Sequence, residues 1–188
     1  MNNPVRAAVQ RWVEAPRLLR LGGRVPGAHV LEMGCGRGVG TELIFDAFGA
    51  ARVDAFDLDP DMVSLARRRL AHRGDRVRLW VGDATRIPAG DGAYRAAFDF
   101  GIVHHVPAWR DVLDETWRVL APGGRFYVEE VLARFIHHPI WRRVLEHPME
   151  DRFDLPALVG ALDARGFRVL GARSLFDQFC WVVAEKPS

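Results

Sequence analysis

The run from His29 to Thr41, H-V-L-E-M-G-C-G-R-G-V-G-T, limits what this chain can fold into more than any other segment. A short apolar stretch ends in an acid, Glu32, then breaks into Gly34, Gly36, Gly38 and Gly40 before a helical pattern resumes. This predicts a strand, a tight glycine turn and a helix start. Backbone N–H groups at such a turn lie open to the close approach of a ligand.

The rest of the chain repeats the alternation. Strands are predicted at Ala28–Met33, Arg52–Asp57, Arg76–Val81, Tyr94–Gly101 and Arg125–Val131, with two more at Phe167–Arg173 and Gln178–Glu185. Helices are predicted from about Gly38 to Phe48, then over Pro60–His72, Trp109–Leu120 and Leu155–Arg165. Asp59 and Asp154 stand where N-caps belong, each just before a first-turn proline. Residues 1–27 read as an N-terminal helical segment interrupted at Pro16, and residues 132–154 as a longer connection on the substrate side. Strands alternating with helices predict an α/β fold, a doubly wound, mostly parallel sheet in one domain spanning 1–188.

Bulk properties remove several classes of function. The chain has 188 residues and a net charge of only +2. Lys186 is the only lysine, and no basic stripe is interleaved with aromatics, which argues against a nucleic-acid partner. The run Arg67-Arg68-Arg69 reads as the solvated face of a helix. Cys35 and Cys180 suggest neither a disulfide framework nor a zinc site, so a reducing cytoplasm is expected. No signal peptide is evident, and no apolar run reaches the roughly 18 residues of a membrane span.

The glycine spacing chooses between cofactors. A dinucleotide turn reads G-x-G-x-x-G. Counting from Gly34 the third position is Val39, and from Gly36 it is Thr41, so the pattern fails both ways. What stands there is acid-x-G-x-G-x-G. A carboxylate ending that strand suits a cation and would repel a pyrophosphate. Asp57 ends the second strand about 20 residues on, where ribose hydroxyls are gripped in such folds. Asp83-Ala84 ends the third strand, where a carboxylate beside a small residue suits an adenine edge.

With these residues in view, the chain resembles the class I S-adenosylmethionine-dependent methyltransferases, within them the small type 11 or ubiquinone-biosynthesis-like group. The segments that carry the resemblance are V-L-E-M-G-C-G-R-G, A-F-D-L-D-P-D-M, V-G-D-A-T-R-I-P, I-V-H-H-V and R-V-L-A-P-G-G-R-F, over about Val30–Val131. The resemblance implies a seven-stranded sheet with its last strand antiparallel. It also implies S-adenosylmethionine as cofactor and S-adenosylhomocysteine as product. The cofactor-binding positions it implies are Glu32, Gly34, Cys35, Gly36, Gly38, Asp57 and Asp83, with Leu58, Ala84 and Phe100 beside them. One departure stands out: the group often reads F-D at the start of the fourth strand, whereas here that place is Tyr94-Arg95 and the pair comes later, at Phe98-Asp99. Asp99 is therefore expected at the strand's carboxyl end, beside the transferable methyl.

The expected chemistry is direct displacement onto a small-molecule acceptor. If the acceptor must lose a proton, Asp99 is the first candidate base and His105 the second, with His104 beside it. Glu129 and Glu130 end the fifth strand on opposite faces, so one is placed to face the pocket, and Glu130 is taken for the substrate side. Trp12, His138 and Trp141 are the other substrate-side candidates, with an aromatic lid from the two tryptophans as one option and plain packing as the other. His137, His138 and His147 match no zinc spacing, and no metal is expected. Three rivals stay open: a nicotinamide oxidoreductase on the same fold, a non-catalytic module that keeps the cofactor site, and a methyltransferase acting on RNA or protein. Either a monomer or a homodimer fits.

Overall fold

The computed structural model describes residues 8–136 and 152–188. Seven strands form one sheet: β1 (His29–Met33), β2 (Arg52–Asp57), β3 (Val77–Val81), β4 (Tyr94–Phe100), β5 (Leu120–Val131), β6 (Arg168–Leu175) and β7 (Phe179–Glu185). Their order is β3-β2-β1-β4-β5-β7-β6. β7 runs antiparallel to both β5 and β6, and the other pairings are parallel. This is the sheet that the resemblance implies. β5 begins five residues before its expected start because helix Trp109–Val119 runs straight into it, with Gly123 at φ 74° absorbing the turn.

Helices cover both faces: α1 (Ala15–Gly22), α2 (Val39–Leu43), α3 (Pro60–Leu70), α4 (Trp109–Val119), a short α5 (Ala133–Ile136) and α6 (Leu155–Asp163). A π-helical turn, Gln10–Glu14, leads into α1, with Pro16 in the first turn of that helix, and a second one, Ile44–Phe48, extends α2. The two expected N-caps are present. The Asp59 and Asp154 side chains accept from Asp61 N and Ala157 N, each at 2.8 Å.

Strand alternation sorts the interior into two cores. Val30, Phe98, Tyr127 and Val183 pack with Leu18, Phe48 and Leu70 of the α1–α3 side. The Phe98 and Tyr127 rings stack at 4.7 Å, with Phe48 edge-on at 4.9 Å. Leu31, Met33, Ala97 and Val128 pack with Trp109, Leu113, Leu158 and Leu162 of the α4–α6 side. Each fully buried Leu or Phe contributes roughly 1.5–3 kcal/mol. Because neighbouring residues point to opposite faces, this division also decides which carboxylates reach the site.

Candidate functional site

The carboxyl ends of β1, β2, β4 and β5 open on the α1–α3 side into a cavity of about 410 Å3, within the roughly 300–1,000 Å3 of small-molecule sites. The glycine turn forms one wall. Gly34, Gly36 and Gly38 all have positive φ, at 70°, 49° and 82°. The turn is pinned from below by Cys35 N–H to Phe56 O at 2.8 Å. Gly34 also lets the chain pass Ile102, whose side chain would overlap any Cβ there.

Glu32 ends the inward face of β1 in the cavity wall, buried to 1% exposure. The Thr41 hydroxyl donates to its Oε2, and Gly40 leaves room for its Oε1 against the first turn of α2. Burial pushes the Glu32 carboxyl up to about 8, the Thr41 hydrogen bond pulls it back, and the neighbouring Asp57 charge adds to the rise. No cation among the described residues offsets Glu32. The wall therefore holds an acid that a cationic ligand group would complete.

Asp57 ends β2 in the same cavity. Its Oδ2 accepts from Gly36 N–H at 2.8 Å and its Oδ1 from Asp59 N–H at 3.0 Å. A carboxylate has about four acceptor positions, so two stay available for hydroxyls of a sugar. Cys35 also lines the cavity, and burial, then the Glu32 and Asp57 charges, push its thiol well above the usual range, which disfavours a thiolate role.

The far end is lined by Phe100, Ile102, His104, His105, Glu129, Phe135 and Phe179, with Gln10 reaching in from the N-terminal turn. The His104 and His105 rings lie 4.0 Å apart, centroid to centroid. No Lys or Arg is among the described residues of this lining.

The structure thus gathers Glu32, Gly34, Cys35, Gly36, Asp57, Phe100, His104 and His105 around one cavity. It places other expected residues elsewhere. Gly38 packs against Leu70 and Ala66 of α3. Leu58 is 73% exposed beside Asp57. Asp83 is exposed, with its Oδ1 taking Thr85 N–H at 2.8 Å and Thr85 Oγ1 at 2.9 Å, while Ala84 is buried in the α4–α6 core. Trp12 is 74% exposed, and Gln10, two residues earlier, faces the cavity in its stead. Asp99 and Glu130 are fully buried on the α4–α6 side and do not line the cavity. Alternation explains both: Phe100 and its register partner Glu129 turn inward to the site, so Asp99 and Glu130 turn away. His137, His138, Trp141 and His147 lie outside the described residues.

Several lining residues carried no sequence signal. Gln10, Phe135 and Phe179 lie far from the glycine turn in sequence and belong to no motif, while Met62 closes the A-F-D-L-D-P-D-M segment without having been singled out. Glu129 was within reach, because pairing β5 against β4 puts it opposite Phe100.

A family model described as a methyltransferase domain matches residues 30–124, about half of the chain. A fatty-acid O-methyltransferase of Mycolicibacterium smegmatis is 34% identical over 121 residues, covering 64% of this chain and 43% of that protein. A probable S-adenosylmethionine-dependent methyltransferase of the same organism is 36% identical over 109 residues, covering 58% and 40%. The chain spans less than half the length of these two relatives. A complex between the Haloferax volcanii Trm112 methyltransferase activator and a methyltransferase contains a chain of the same fold, with TM-score 0.82, 19% identity and coverage of 98% and 95%. No helix of the described residues is long and apolar enough to cross a membrane. The chain belongs to the methyltransferase-domain family, among the class I S-adenosylmethionine-dependent methyltransferases.

Proposed function

We propose that this chain transfers a methyl group from S-adenosylmethionine to a small-molecule acceptor in the cytoplasm. The observation that carries the reading is Glu32: a buried acid with no cation to offset it, in the wall of a cavity floored by a glycine turn. Glu32 would neutralise the ammonium group of the cofactor, Asp57 would take its ribose hydroxyls, and Gly34, Cys35 and Gly36 would line its path. Asp83, exposed just after β3 and outside the cavity lining, would meet the adenine amine with Oδ2, since Oδ1 is held by Thr85.

When bound, the cofactor supplies a methyl group already activated on a sulfonium. The chain's own task is alignment and exclusion of water. Phe100, Ile102, Phe135 and Phe179 give the far end an apolar lining, and Gln10, His104, His105 and Glu129 give it polar groups that can orient an acceptor. Without Lys or Arg among its described residues, this lining favours a neutral or partly apolar molecule over a phosphate-bearing polymer.

Calorimetry separates this reading from the oxidoreductase rival. Micromolar binding of S-adenosylhomocysteine with no binding of NAD is expected. Binding of NAD alone would overturn it.

A further inference from the structure

Eight large apolar side chains stand exposed among the described residues, and five of them, Val9, Trp12, Val13, Leu175 and Phe176, gather at the carboxyl end of β6. α1 and the turn before it run in step with the β6–β7 hairpin. Leu21 fills the space over Gly171, and the Arg17 guanidinium lies 4.6 Å from the centre of the Trp181 ring. One helical turn advances about 5.4 Å and two strand residues about 6.6 Å. The next steps along both therefore bring Val13 beside the register pair Leu175 and Phe179, and Val9 toward the hairpin tip at Phe176. Gln10 and Phe179 line the same cavity, as that alignment requires. α5 borders the tip on its other side, with the Phe135 and Phe179 rings 5.0 Å apart and Leu132 N–H donating to Gln178 O at 2.8 Å. The exposed apolar side chains thus form a rim beside the far end of the cavity.

The tip is built at a cost. Phe176 is 78% exposed, and it and Asp177 both have φ 53°. A two-residue turn with both central residues left-handed is one that asparagine and glycine fill without strain. Phe176 adds nothing to either core, yet the turn holds its ring out to solvent. Ser174 Oγ donates to Asp177 Oδ1 at 3.1 Å and steadies the turn. Four arginines flank the rim. Arg17 donates to Val13 O at 2.7 Å, Arg173 shares with Leu175 the face of β6 turned toward α1, and the Arg11 and Arg134 side chains are 55% and 69% exposed. Two acids stand against them among the described residues. Asp177 lies 3.5 Å from Arg134, and Asp46, 3.7 Å from Arg11, is already held by Arg73 at 2.8 Å. The rim is apolar at its centre and positive around it.

We infer that this rim docks on an anionic lipid surface, with Trp12 and Phe176 inserted at the level of the headgroups. A bilayer matches both halves of the rim. Aromatic rings are stable at headgroup depth, and arginine stems lie along the acyl boundary while their guanidinium groups meet anionic headgroups. Phe135 and Phe179 continue the apolar surface from the rim into the cavity. On the methyl-transfer reading, the docked chain takes an apolar acceptor carried in the lipid. That consequence rests on the reading, whereas the docking does not.

Sedimentation of the full chain with lipid vesicles tests the docking without turnover. Vesicles of phosphatidylcholine mixed with phosphatidylserine should carry the chain down, and pure phosphatidylcholine should do so about 10-fold less well. Salt at about 0.5 M should release most of the bound chain. Trp12→Ala and Phe176→Asn should each lower the partition coefficient by about 10-fold, and Arg134→Gln and Arg173→Gln by about 5-fold each. Phe176→Asn should hold or raise Tm, because asparagine tolerates the left-handed region, so its lost binding is not lost folding. Val81→Thr, on the edge strand β3 at the other side of the sheet, should bind as the wild type does. No sedimentation with the mixed vesicles, equal sedimentation with both kinds, or undiminished binding by the Trp12→Ala, Phe176→Asn double variant would each overturn the inference. So would a wild-type dimer in light scattering that the double variant dissolves, which would assign the rim to a second copy of the chain. Vesicle binding without S-adenosylhomocysteine binding would support the docking and count against the cofactor reading instead.

Discussion

Gly36 N–H lies 2.8 Å from Asp57 Oδ2, a bond that crosses 21 positions and ties the glycine turn to the end of the neighbouring strand. One carboxylate thereby shapes the turn and faces the cavity. Asp57→Ala removes the partner of two backbone amides: exposed Asp59 turns to water, and part-buried Gly36 is left unmet at a cost of about 1–3 kcal/mol. S-adenosylhomocysteine affinity should fall by ~10²-fold, and Asp57→Asn should retain part of the stability but little of the affinity. Chemical denaturation and calorimetry on the same samples separate the two effects.

On the proposed reading, Glu32 links cofactor binding to pH. With its carboxyl near 8 in the ligand-free chain, it is mostly protonated at neutral pH. A cationic group binding beside it favours the charged form, so binding should release close to one proton at pH 7. Binding enthalpies measured in buffers of different ionisation heat should differ by that proton. Affinity should strengthen as pH rises from 6 to 8.5. Glu32→Gln should abolish the proton release and weaken binding by about 10- to 100-fold.

The same burial sets the sign of the stability profile. The carboxyls of Glu32 and Glu130 both rise from the usual 4.5 to about 8 on folding, chiefly through desolvation. The folded state therefore binds these protons more tightly than the unfolded one. The stability they contribute is complete below about 4.5 and is lost as pH climbs through 8. The Tm of the ligand-free chain should fall by roughly 5–10 °C between pH 5 and pH 9. The double variant Glu32→Gln, Glu130→Gln should show a flatter profile.

Two glycines in helices should respond oppositely to alanine. At Gly40 a Cβ would overlap Glu32 Oε1 and approach Phe100 Cδ2 to 2.8 Å, both in the cavity wall. The gain in helix propensity, up to about 1 kcal/mol, loses to an overpacking cost of about 1–3 kcal/mol. Gly40→Ala should therefore lower both Tm and cofactor affinity. At Gly160 in α6 an added Cβ meets nothing within 4 Å, so Gly160→Ala should stabilise the chain by about 0.5–1 kcal/mol and leave binding untouched.

The sheet was legible in the sequence because each strand is an apolar run closed by a turn signal, and because Asp59 and Asp154 announce their helices. The wall built from Glu32, Gly34, Gly36 and Asp57 was legible, because those positions are set by backbone geometry at strand ends. The far end of the cavity was not. Choosing between Glu129 and Glu130 requires knowing which face of β5 meets Phe100, and a shift of one residue exchanges them. Asp99 looked well placed by its distance along β4, but distance along a strand does not tell which side it faces. Gln10 and Phe179 come from opposite ends of the chain, and only the tertiary fold brings them to one place.

That convergence bears on how such a molecule changes over time. Gln10, Phe135 and Phe179 all lie outside residues 30–124, whereas Glu32, the glycine turn and Asp57 all lie within them. The far end of the cavity is thus built from two sources: Phe100, Ile102, His104 and His105 come from within that stretch, and the flanking segments supply the rest. On the proposed reading, exchanging or lengthening those flanking segments changes the recipient while leaving the glycine turn in place.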